Sequence, residues 1–272
     1  MGLIATLQLC ADADVAPNLG VAADLVRRAA GAGASVALLP ENFAFMGRSE
    51  ADKLRVAEED GAGPMQDFLA EAAARHRIWL IGGTLPMKVP QAPERTTNTC
   101  LVYDADGRRV ARYDKIHLFD VDLPGRAESY RESAFVERGQ TAVLVDTPVG
   151  RIGLSVCYDV RFPELYRELV RQGAEVLVVP AAFTAPTGRA HWEVLLRARA
   201  IENMAYVVAA AQSGLHANGR ETYGDSLIVD YWGRVLDRLP RGSGLVTADI
   251  DLAAQASARD SFPVLANRVF RA

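Results

Sequence analysis

Short apolar runs rich in β-branched residues alternate with longer runs of Ala, Leu and Arg that repeat at helical spacing. The apolar runs predict strands at residues 3–9, 36–40 and 78–84, and the longer runs predict helices at 16–32 and 64–75. Strands that alternate with helices are typical of an α/β fold. The hydrophobic pattern therefore predicts the α/β class.

The same pattern predicts eight more strands further along the chain. They lie at residues 98–103, 108–113, 142–147, 151–156, 176–180, 205–211, 226–230 and 245–250. The sequence DADG at residues 104–107 is a hairpin-turn signal between two of them, so part of the sheet is predicted to be antiparallel.

An internal similarity refines the fold. Residues 34–43, ASVALLPENF, align with residues 174–183, AEVLVVPAAF, at four identical positions, and each segment follows a helix that ends in Gly. Two related helix–strand halves that face each other predict a four-layer α-β-β-α sandwich with two mixed sheets in the middle. Because the first copy has Glu41 where the second has Ala181, only one half carries a carboxylate there.

The composition of the 272 residues, half of them hydrophobic, is enough for one large core without metal or disulfide support. We therefore expect a single domain over residues 1–252. Residues 253–272 show no obvious core face, and we expect them to form a tail that packs on a partner subunit.

Charge and hydropathy exclude two classes of partner. Thirty basic and 34 acidic residues give a net charge of -4, so no basic excess is available to bind nucleic acid. The longest apolar runs fall far short of the ~20 residues that a membrane helix needs. Since no secretory signal opens the chain and the cysteines are three, an odd number, we expect a cytoplasmic protein with free thiols.

Cys157 stands between a predicted strand and a predicted helix, whose start is marked by Pro163 and Glu164. Such a turn lifts a side chain out at the top of a sheet and presents a nucleophile. We expect the helix amides and dipole to lower the pKa of the Cys157 thiol. On this context alone an inert buried cysteine is an equal alternative, and Cys10 and Cys100 are interpreted as inert.

Two further charged residues follow strands. Glu41 ends a strand that should be buried on both faces, where a carboxylate serves either as a general acid or base or as a structural ion-pair partner. Lys115 follows the strand at 108–113 and begins a long connection; a single lysine is usually solvated. Phosphate-binding and zinc-binding signatures are absent from the sequence.

Together these segments resemble the carbon–nitrogen hydrolase, or nitrilase, superfamily. The matching motifs occur in the family's order: LPE at 39–41, YDKIHL at 113–118, GLSVCYDVRFPEL at 153–165 and TGRAHW at 187–192. The resemblance extends over nearly the whole chain. It implies a Glu41, Lys115 and Cys157 set that needs no metal or organic cofactor, and a homodimer or higher homo-oligomer.

The resemblance also implies a mechanism. Cys157 would attack the carbon of a carboxamide, Glu41 would carry the thiol proton to the leaving ammonia, and water would hydrolyse the thioester. Lys115 and the Tyr158 backbone N–H would hold the oxyanion. Glu132 matches the position of a second, accessory glutamate in the family's amidases; the alternative is an exposed loop acid.

Two segments, 115–125 and 191–200, resemble the branch that contains omega-amidases and deaminated glutathione amidases. Residues 209–214, 223–226 and 231–233 favour the deaminated glutathione type, although Asp225 replaces the usual His. The implied substrate is a small amide that bears a carboxylate. Candidates for contacts to that substrate are Arg161, Phe183, Thr187, His191 and Arg199.

Several alternatives stay open at this point. Arg161 and Arg199 serve either as carboxylate ligands or in structural ion pairs, the more frequent role. Other activities of the superfamily are N-carbamoyl amino acid hydrolysis, aliphatic amide hydrolysis and nitrile hydrolysis. A Cys–His hydrolase would use His117 or His191 as its base, and a catalytically silent binding protein would share the fold alone.

Overall fold

Helices and strands alternate as the hydrophobic pattern predicts. The computed structural model describes residues 2–122 and 129–270. The α-helices are α1 (Val15–Gly31), α2 (Lys53–Val56), α3 (Pro64–His76), α4 (Pro163–Arg171), α5 (Ala185–Asn203) and α6 (Leu252–Ser261). The strands are β1 (Gly2–Gln8), β2 (Val36–Leu38), β3 (Trp79–Ile81), β4 (Leu85–Lys88), β5 (Thr96–Tyr103), β6 (Arg109–Asp114), β7 (Asp120–Asp122), β8 (Ser129–Arg131), β9 (Val136–Glu137), β10 (Leu144–Thr147), β11 (Gly150–Leu154), β12 (Val176–Ala181), β13 (Tyr206–Ala211), β14 (Ser213–Leu215), β15 (Glu221–Tyr223), β16 (Ser226–Val229), β17 (Val235–Leu239) and β18 (Gly244–Ile250).

Two mixed sheets form the middle of the molecule. The first has the order β18-β1-β2-β3-β5-β4, with β6 and β9 also paired to β5, and the second has the order β10-β11-β12-β13-β16-β17. Strands β1, β2 and β3 are parallel, as are β11, β12 and β13, whereas β18 and β16 pair antiparallel with β1 and β13. The two aligned segments, at β2 and β12, are thus the central strands of two equivalent parallel triplets.

Helices cover the outer face of each sheet. Leu25 of α1 and Leu69 of α3 pack with side chains of the first sheet in one hydrophobic cluster. A second cluster joins Val36 of β2 to the second sheet and to Leu169 of α4 and Trp192 of α5. The predicted four-layer α-β-β-α sandwich is confirmed.

Local sequence sets where the helices begin and how closely they pack. Asp14 caps α1, and a proline at the first position starts both α3 and α4. Gly188 lets α5 lie against β15, because a Cβ at this position would be 2.3 Å from Tyr223 Cβ. This close approach places the first turn of α5 beside the site described below.

Part of the predicted C-terminal tail is a helix that packs on its own chain. Residues 252–261 form α6, whose buried Gln255 donates from Nε2 to the carbonyl oxygens of Glu175 (2.8 Å) and Met204 (3.0 Å). These residues therefore pack on their own chain. Beyond α6, Phe262 is half exposed and Phe270 is 93% exposed.

Part of the predicted long connection also has a structure. Strands β7 and β8 form an antiparallel pair, and the connection between them, at 123–128, lies outside the described residues together with the end of the 115–125 motif. In the described ranges, no helix combines the length and the apolar character needed to cross a membrane.

Candidate active site

Strand ends bring the predicted catalytic side chains together. Glu41 follows β2 of the first sheet, Lys115 follows β6, and Cys157 follows β11 of the second sheet. All three are buried, with exposed fractions of 3%, 2% and 6%. Glu132, in a turn of 3₁₀-helix after β8, is buried as well, so it is not an exposed loop acid.

The Glu41 carboxylate accepts three hydrogen bonds from buried donors. Oε1 accepts from Lys115 Nζ and from Asn98 Nδ2, both at 2.9 Å, and Oε2 accepts from the backbone N–H of Ala182 at 2.9 Å. The Cys157 thiol also faces this carboxylate. Glu41 is held by both sheets and lies in position to exchange a proton with the thiol.

Lys115 lies between two carboxylates. Its Nζ is 2.9 Å from Glu41 Oε1 and 2.9 Å from Glu132 Oε2. Burial acts to lower the pKa of Lys115, but the charges of Glu132 and Glu41 outweigh it, so this pKa is raised well above its usual value. Lys115 therefore stays an ammonium, fixed between the two glutamates.

Glu132 shows the reciprocal effect. Burial acts to raise the pKa of Glu132. The positive charge of Lys115, and to a smaller degree that of Lys53, lowers this pKa, as does the Phe119 backbone N–H, which donates to Oε2 at 2.7 Å. The pKa of Glu132 falls to about 2. Glu132 is a fixed negative charge that orients Lys115.

Asn98 completes this group, and the sequence analysis did not find it. Its Nδ2 donates to Glu41 Oε1 and to Glu132 Oε1, at 2.9 Å and 3.2 Å. It lies in β5, buried at 3% exposure. The one sequence signal was a polar amide in the strand predicted at residues 98–103, because a buried amide needs a hydrogen-bond partner.

Cys157 lies on a sharp turn between β11 and α4, as predicted. Its φ is +50°, in the left-handed region, and it begins a turn of 3₁₀-helix over Cys157–Arg161. The prediction of a lowered pKa was wrong. Burial and the negative charge of Glu41 raise the pKa of the thiol well above its usual value, although Lys115 opposes them. A single short 3₁₀ turn has too small a dipole to reverse this.

Asp159 holds the turn that carries Cys157. It is fully buried, and its Oδ2 accepts from the backbone N–H of Val156 at 2.8 Å and from the Tyr113 hydroxyl at 2.7 Å. Its Oδ1 is 2.7 Å from His117 Nδ1 and accepts from the His117 backbone N–H at 3.0 Å. Asp159 thus ties the turn to the β6 end, where Lys115 lies.

A cavity of about 650 Å³, counted with its open mouth, leads to these residues. Besides Glu41, Lys115, Cys157 and Glu132, three more predicted site residues line it: Tyr158, Phe183 and Thr187. The other lining residues are Asn42, Glu50, Lys53, Phe119, Ser129, Tyr130, Arg131, Ala182, Thr184 and Arg220.

Arg199 is not among these lining residues. Its Nε donates to the Val160 carbonyl at 2.8 Å, its Nη1 is 2.6 Å from Glu202 Oε1, and its guanidinium lies over the ring of Tyr166. The contacts favour the structural ion pair over a carboxylate ligand. Arg199 ties α5 to the turn after Cys157.

Arg161 and His191 lie close to each other and also outside the cavity lining. The Arg161 guanidinium nitrogens are 3.3 Å from His191 Nδ1, and the guanidinium contacts the rings of Tyr158 and Phe183. Neither His191 nor His117 is among the described residues that line the cavity. The side chain that the Cys157 thiol faces is the Glu41 carboxylate.

Four charged residues of the cavity were not predicted from the sequence: Glu50, Lys53, Arg131 and Arg220. Lys53 Nζ is 2.7 Å from Glu50 Oε2, and the pKa of Glu50 is lowered mainly by Lys53 and to a smaller degree by Arg220. These residues follow no strand in the predicted pattern, so no strand-end signal pointed to them. The described residues contain no cluster of three His, Cys, Asp or Glu side chains suited to a metal ion.

Comparison with known proteins places this geometry in a family. The family described as carbon-nitrogen hydrolase matches residues 3–260, nearly the whole chain. The chain belongs to the carbon–nitrogen hydrolase family. The resemblance seen in the sequence motifs is confirmed, and this hydrolase is a cysteine-based amidase of the nitrilase superfamily.

Relatives of this hydrolase occur in bacteria and animals. It is 40% identical over 267 residues to the deaminated glutathione amidase of Yersinia enterocolitica, covering 98% of this chain and 93% of the relative. It is 41% identical over 268 residues to the human deaminated glutathione amidase, covering 98% and 82%. The crystal structure of the C. elegans NitFhit protein has a TM-score of 0.91 and 41% identity, and the match covers 98% of this chain and 65% of that longer one.

Asp225, which departs from the branch's usual His, has a structural role in this hydrolase. It is buried, its φ is +63°, and its two carboxylate oxygens are 2.9 Å and 2.6 Å from the Arg238 guanidinium. Its backbone carbonyl accepts from the indole N–H of Trp192 at 2.8 Å. Asp225 therefore anchors β16 to β17 and α5, and it lies outside the cavity lining.

Proposed function

We propose that this amidase hydrolyses the amide bond of a small carboxylate-bearing substrate through a thioester on Cys157. Glu41, Lys115 and Cys157 are the catalytic residues of this proposal. Glu132 positions Lys115, and the Tyr158 backbone N–H assists at the oxyanion. The observation that carries the proposal is the buried Glu41 carboxylate, which faces the Cys157 thiol while it is bonded to Lys115 at 2.9 Å.

In the first half-reaction, Cys157 Sγ attacks the amide carbon as Glu41 takes the thiol proton. The raised pKa of the thiol makes this transfer necessary, because little thiolate is present beforehand. The carbonyl π electrons move to oxygen, where Lys115 and the Tyr158 N–H stabilise them. Glu41 then returns the proton to nitrogen, the C–N bond breaks, and ammonia leaves. A substituted amide, such as that of deaminated glutathione, releases an amine instead.

In the second half-reaction, Glu41 removes a proton from water, whose oxygen attacks the thioester carbon. The C–S bond breaks, the sulfur regains the proton from Glu41, and the acid product leaves. Lys115 carries its positive charge through both halves, because Glu132 and Glu41 hold its pKa high. It therefore acts by electrostatic stabilisation rather than by proton transfer.

The names of the relatives support the substrate class. The Yersinia and human relatives are named deaminated glutathione amidase. We infer that deaminated glutathione, or the omega-amide of a 2-oxo acid, is the substrate of this chain. Both compounds carry carboxylates near the scissile amide, and the cavity lining contains several cationic side chains.

The test is hydrolysis of a substrate panel by the wild type, Cys157→Ala and Glu41→Gln. The panel contains deaminated glutathione, 2-oxoglutaramate, 2-oxosuccinamate, glutamine, asparagine, an aliphatic amide, an N-carbamoyl amino acid and a nitrile. Ammonia, released amine and the acid product are all measured. We expect turnover of a keto-acid amide and a loss of at least ~10³-fold in both variants.

Three results would contradict the proposal. Turnover of the nitrile or the carbamoyl compound alone would overturn the substrate class. Full activity of Glu41→Gln with loss in His191→Ala would overturn the role of Glu41. The silent binding protein would be favoured if no substrate turned over and if iodoacetamide failed to label Cys157 in the folded protein even at pH 9.

We also propose one domain over residues 1–252, a homodimer that uses the surface beside α4 and the C-terminal segment, and a cytoplasmic location. Phe270 and Val269 are 93% and 86% exposed, and Phe262, which begins the segment after α6, packs edge-on against the half-exposed Trp232. Burial of these side chains by a second copy would stabilise a dimer.

The cytoplasmic location rests on the thiol, because a thiol nucleophile has to stay reduced. The proposed dimer is tested by its mass. Light scattering measures the mass of the assembly.

A further inference from the structure

Among the described residues, the cavity lining contains four cationic side chains, which differ in their partners: Lys53, Lys115, Arg131 and Arg220. Lys115 lies between Glu41 and Glu132, with both carboxylates at 2.9 Å. A substrate carboxylate would have to compete with both of these acids for the same ammonium. Lys115 is therefore unsuited to bind the carboxylate of a substrate.

Two more of these cations are neutralised by acidic side chains. Lys53 Nζ is 2.7 Å from Glu50 Oε2. Arg131 Nη2 is 2.9 Å from each carboxylate oxygen of Asp122. An anionic ligand would have to compete with these acids for either side chain.

Arg220 differs from the other three. In residues 2–122 and 129–270 it forms no salt bridge with a carboxylate, and its Nη2 donates to the backbone carbonyl of Ala182. Its guanidinium lies 5.2 Å from the ring centre of Tyr130. Its Nε–H is buried and has no hydrogen-bond partner within the described ranges. A buried donor of this kind on a charged group costs free energy until a ligand or a water accepts from it.

The cations of the cavity therefore differ in how far acidic side chains neutralise them. Beside Lys115, the carboxylates of Glu41 and Glu132 both bond to one ammonium, so a further carboxylate is disfavoured there. Arg220 acts on Glu50 through its charge but forms no salt bridge with an acid among the described residues. A carboxylate is therefore attracted to Arg220 rather than to Lys115, and an amide that carries one is oriented with its carbonyl toward Cys157.

We propose that Arg220 binds the carboxylate of the amide substrate and thereby selects anionic amides over neutral ones. A guanidinium suits this role because its planar set of N–H donors matches the two oxygens of a carboxylate. The inference rests on the proposed amidase function and names the residue that decides its substrate class.

The position of Arg220 also limits the length of the substrate. Ala182 accepts from Arg220 at its carbonyl oxygen and donates to Glu41 Oε2 from its N–H at 2.9 Å. The carboxylate ligand and the proton-transfer residue are thus connected through one amino acid. We infer that only a few atoms separate the carboxylate of the substrate from its scissile amide.

The experiment compares anionic and neutral amides of equal length in the wild type and in Arg220→Gln. The anionic probes are succinamate and glutaramate, and the neutral ones are butyramide and pentanamide. We expect kcat/KM for the anionic probes to fall roughly 10- to 100-fold, the loss expected for a charge-assisted hydrogen bond, while kcat/KM for the neutral ones changes less than about threefold. An equal fall for both classes, or no change in their ratio, would overturn the inference.

The matched control is Arg241→Gln, which removes the same charge outside the cavity. The Arg241 side chain is 70% exposed and is 3.6 Å from Glu221. We expect this variant to keep the wild-type preference. If Arg220→Gln does not fold, Arg220→Lys replaces it, because this variant retains the charge. It should lose part of the preference for anionic amides and none of the turnover of neutral ones. An equal loss for both substrate classes would contradict the inference.

A binding measurement separates this inference from the proposed function. Calorimetry with glutarate, which resembles a dicarboxylate product, needs no turnover. We expect Kd for glutarate to be weakened roughly 10- to 100-fold in Arg220→Gln relative to the wild type and to Arg241→Gln. An unchanged Kd would overturn the role of Arg220. A lack of amide turnover by the wild type, with glutarate binding that depends on Arg220, would overturn the proposed function and leave the carboxylate site standing.

Discussion

Cys157 adopts a left-handed backbone conformation, φ +50°, which costs a residue with a Cβ about 1–2 kcal/mol. The bonds from Asp159 to the Val156 N–H and to Tyr113 hold the chain in this conformation. The turn directs the thiol toward Glu41, in a site that is buried and negatively charged. The burial that fixes the position of the thiol also disfavours the charged thiolate, so an ordered thiol is obtained at the cost of a raised pKa.

The raised pKa of Cys157 predicts slow alkylation at neutral pH. An ordinary cysteine thiol has a pKa of about 8.5, and the pKa of Cys157 lies well above that value. Because only the thiolate reacts, the rate of iodoacetamide labelling should rise about tenfold per pH unit through pH 9 without a plateau. Mass spectrometry of the labelled peptide measures this rate, with Cys157→Ala as the control for labelling elsewhere. A plateau below pH 8 would mean that the thiol is acidic, as the sequence alone suggested.

Individual site residues could be predicted from the sequence where they directly follow a predicted strand. Glu41, Lys115 and Cys157 each follow a predicted strand, so their positions at one edge of the sheets could be inferred from periodicity together with the family motifs. Asn98 and Arg220 could not be found in this way. Their roles depend on contacts with Glu41 and with Ala182, which lie far away in sequence, and no local pattern encodes such contacts.

At the scale of elements, the predicted strands were placed to within a few residues, and several strands without a continuous apolar run were missed. Strand β4 contains Pro86, and β17 has an exposed central segment, so neither shows a continuous apolar run. Helix α6 was missed for another reason. It attaches to the protein through polar side chains, Gln255 and Arg259, which bind backbone carbonyls, and an apolar stripe was therefore not needed.

Helix α6 should contribute measurably to stability through Gln255. In Gln255→Leu, the carbonyl oxygens of Glu175 and Met204 lose a buried donor, so we expect the free energy of unfolding to fall by about 2 kcal/mol. Urea unfolding measures the change. The exposed Gln172→Leu should shift the free energy of unfolding by less than about 0.5 kcal/mol. An equal, small effect of both variants would show that α6 does not depend on this amide.

At the scale of the whole molecule, the site lies where two equivalent halves meet. The segment after β2 supplies the Glu41 carboxylate, and the corresponding segment after β12 supplies the Ala182 N–H that binds it. Lys115 and Glu132 come from the connection between the halves. The internal similarity in the sequence predicted the two sheets, but only the structure shows that one copy of the repeated segment binds the functional group of the other.

Because these charged groups join the halves, their titration should affect global stability. The pKa of Glu132 is about 2 in the folded protein and about 4.3 when unfolded, so its stabilising contribution is complete above pH 4.5 and is lost as pH falls toward 2. We expect the free energy of unfolding to decrease by a few kcal/mol over this range, and by less in Glu132→Gln. Urea unfolding at pH 7, 5, 4 and 3 measures the dependence.

Glu168 provides the matched comparison, since its pKa is also about 2. Its partner Arg171 is on the surface, where water screens the pair, so Glu168→Gln should leave the pH dependence close to that of the wild type. Equal effects of the two substitutions would show that the low pKa of Glu132 does not stabilise the fold.

The two main-chain hydrogen bonds of Ala182 have an evolutionary consequence. The bond to Glu41 is made by a main-chain N–H and the bond from Arg220 by a main-chain carbonyl, so neither depends on the identity of a side chain at position 182. The side chain at position 182, a residue of the cavity lining, can therefore change without loss of either bond. An ancestral amidase built in this way could acquire new substrates by single substitutions, without first losing its chemistry.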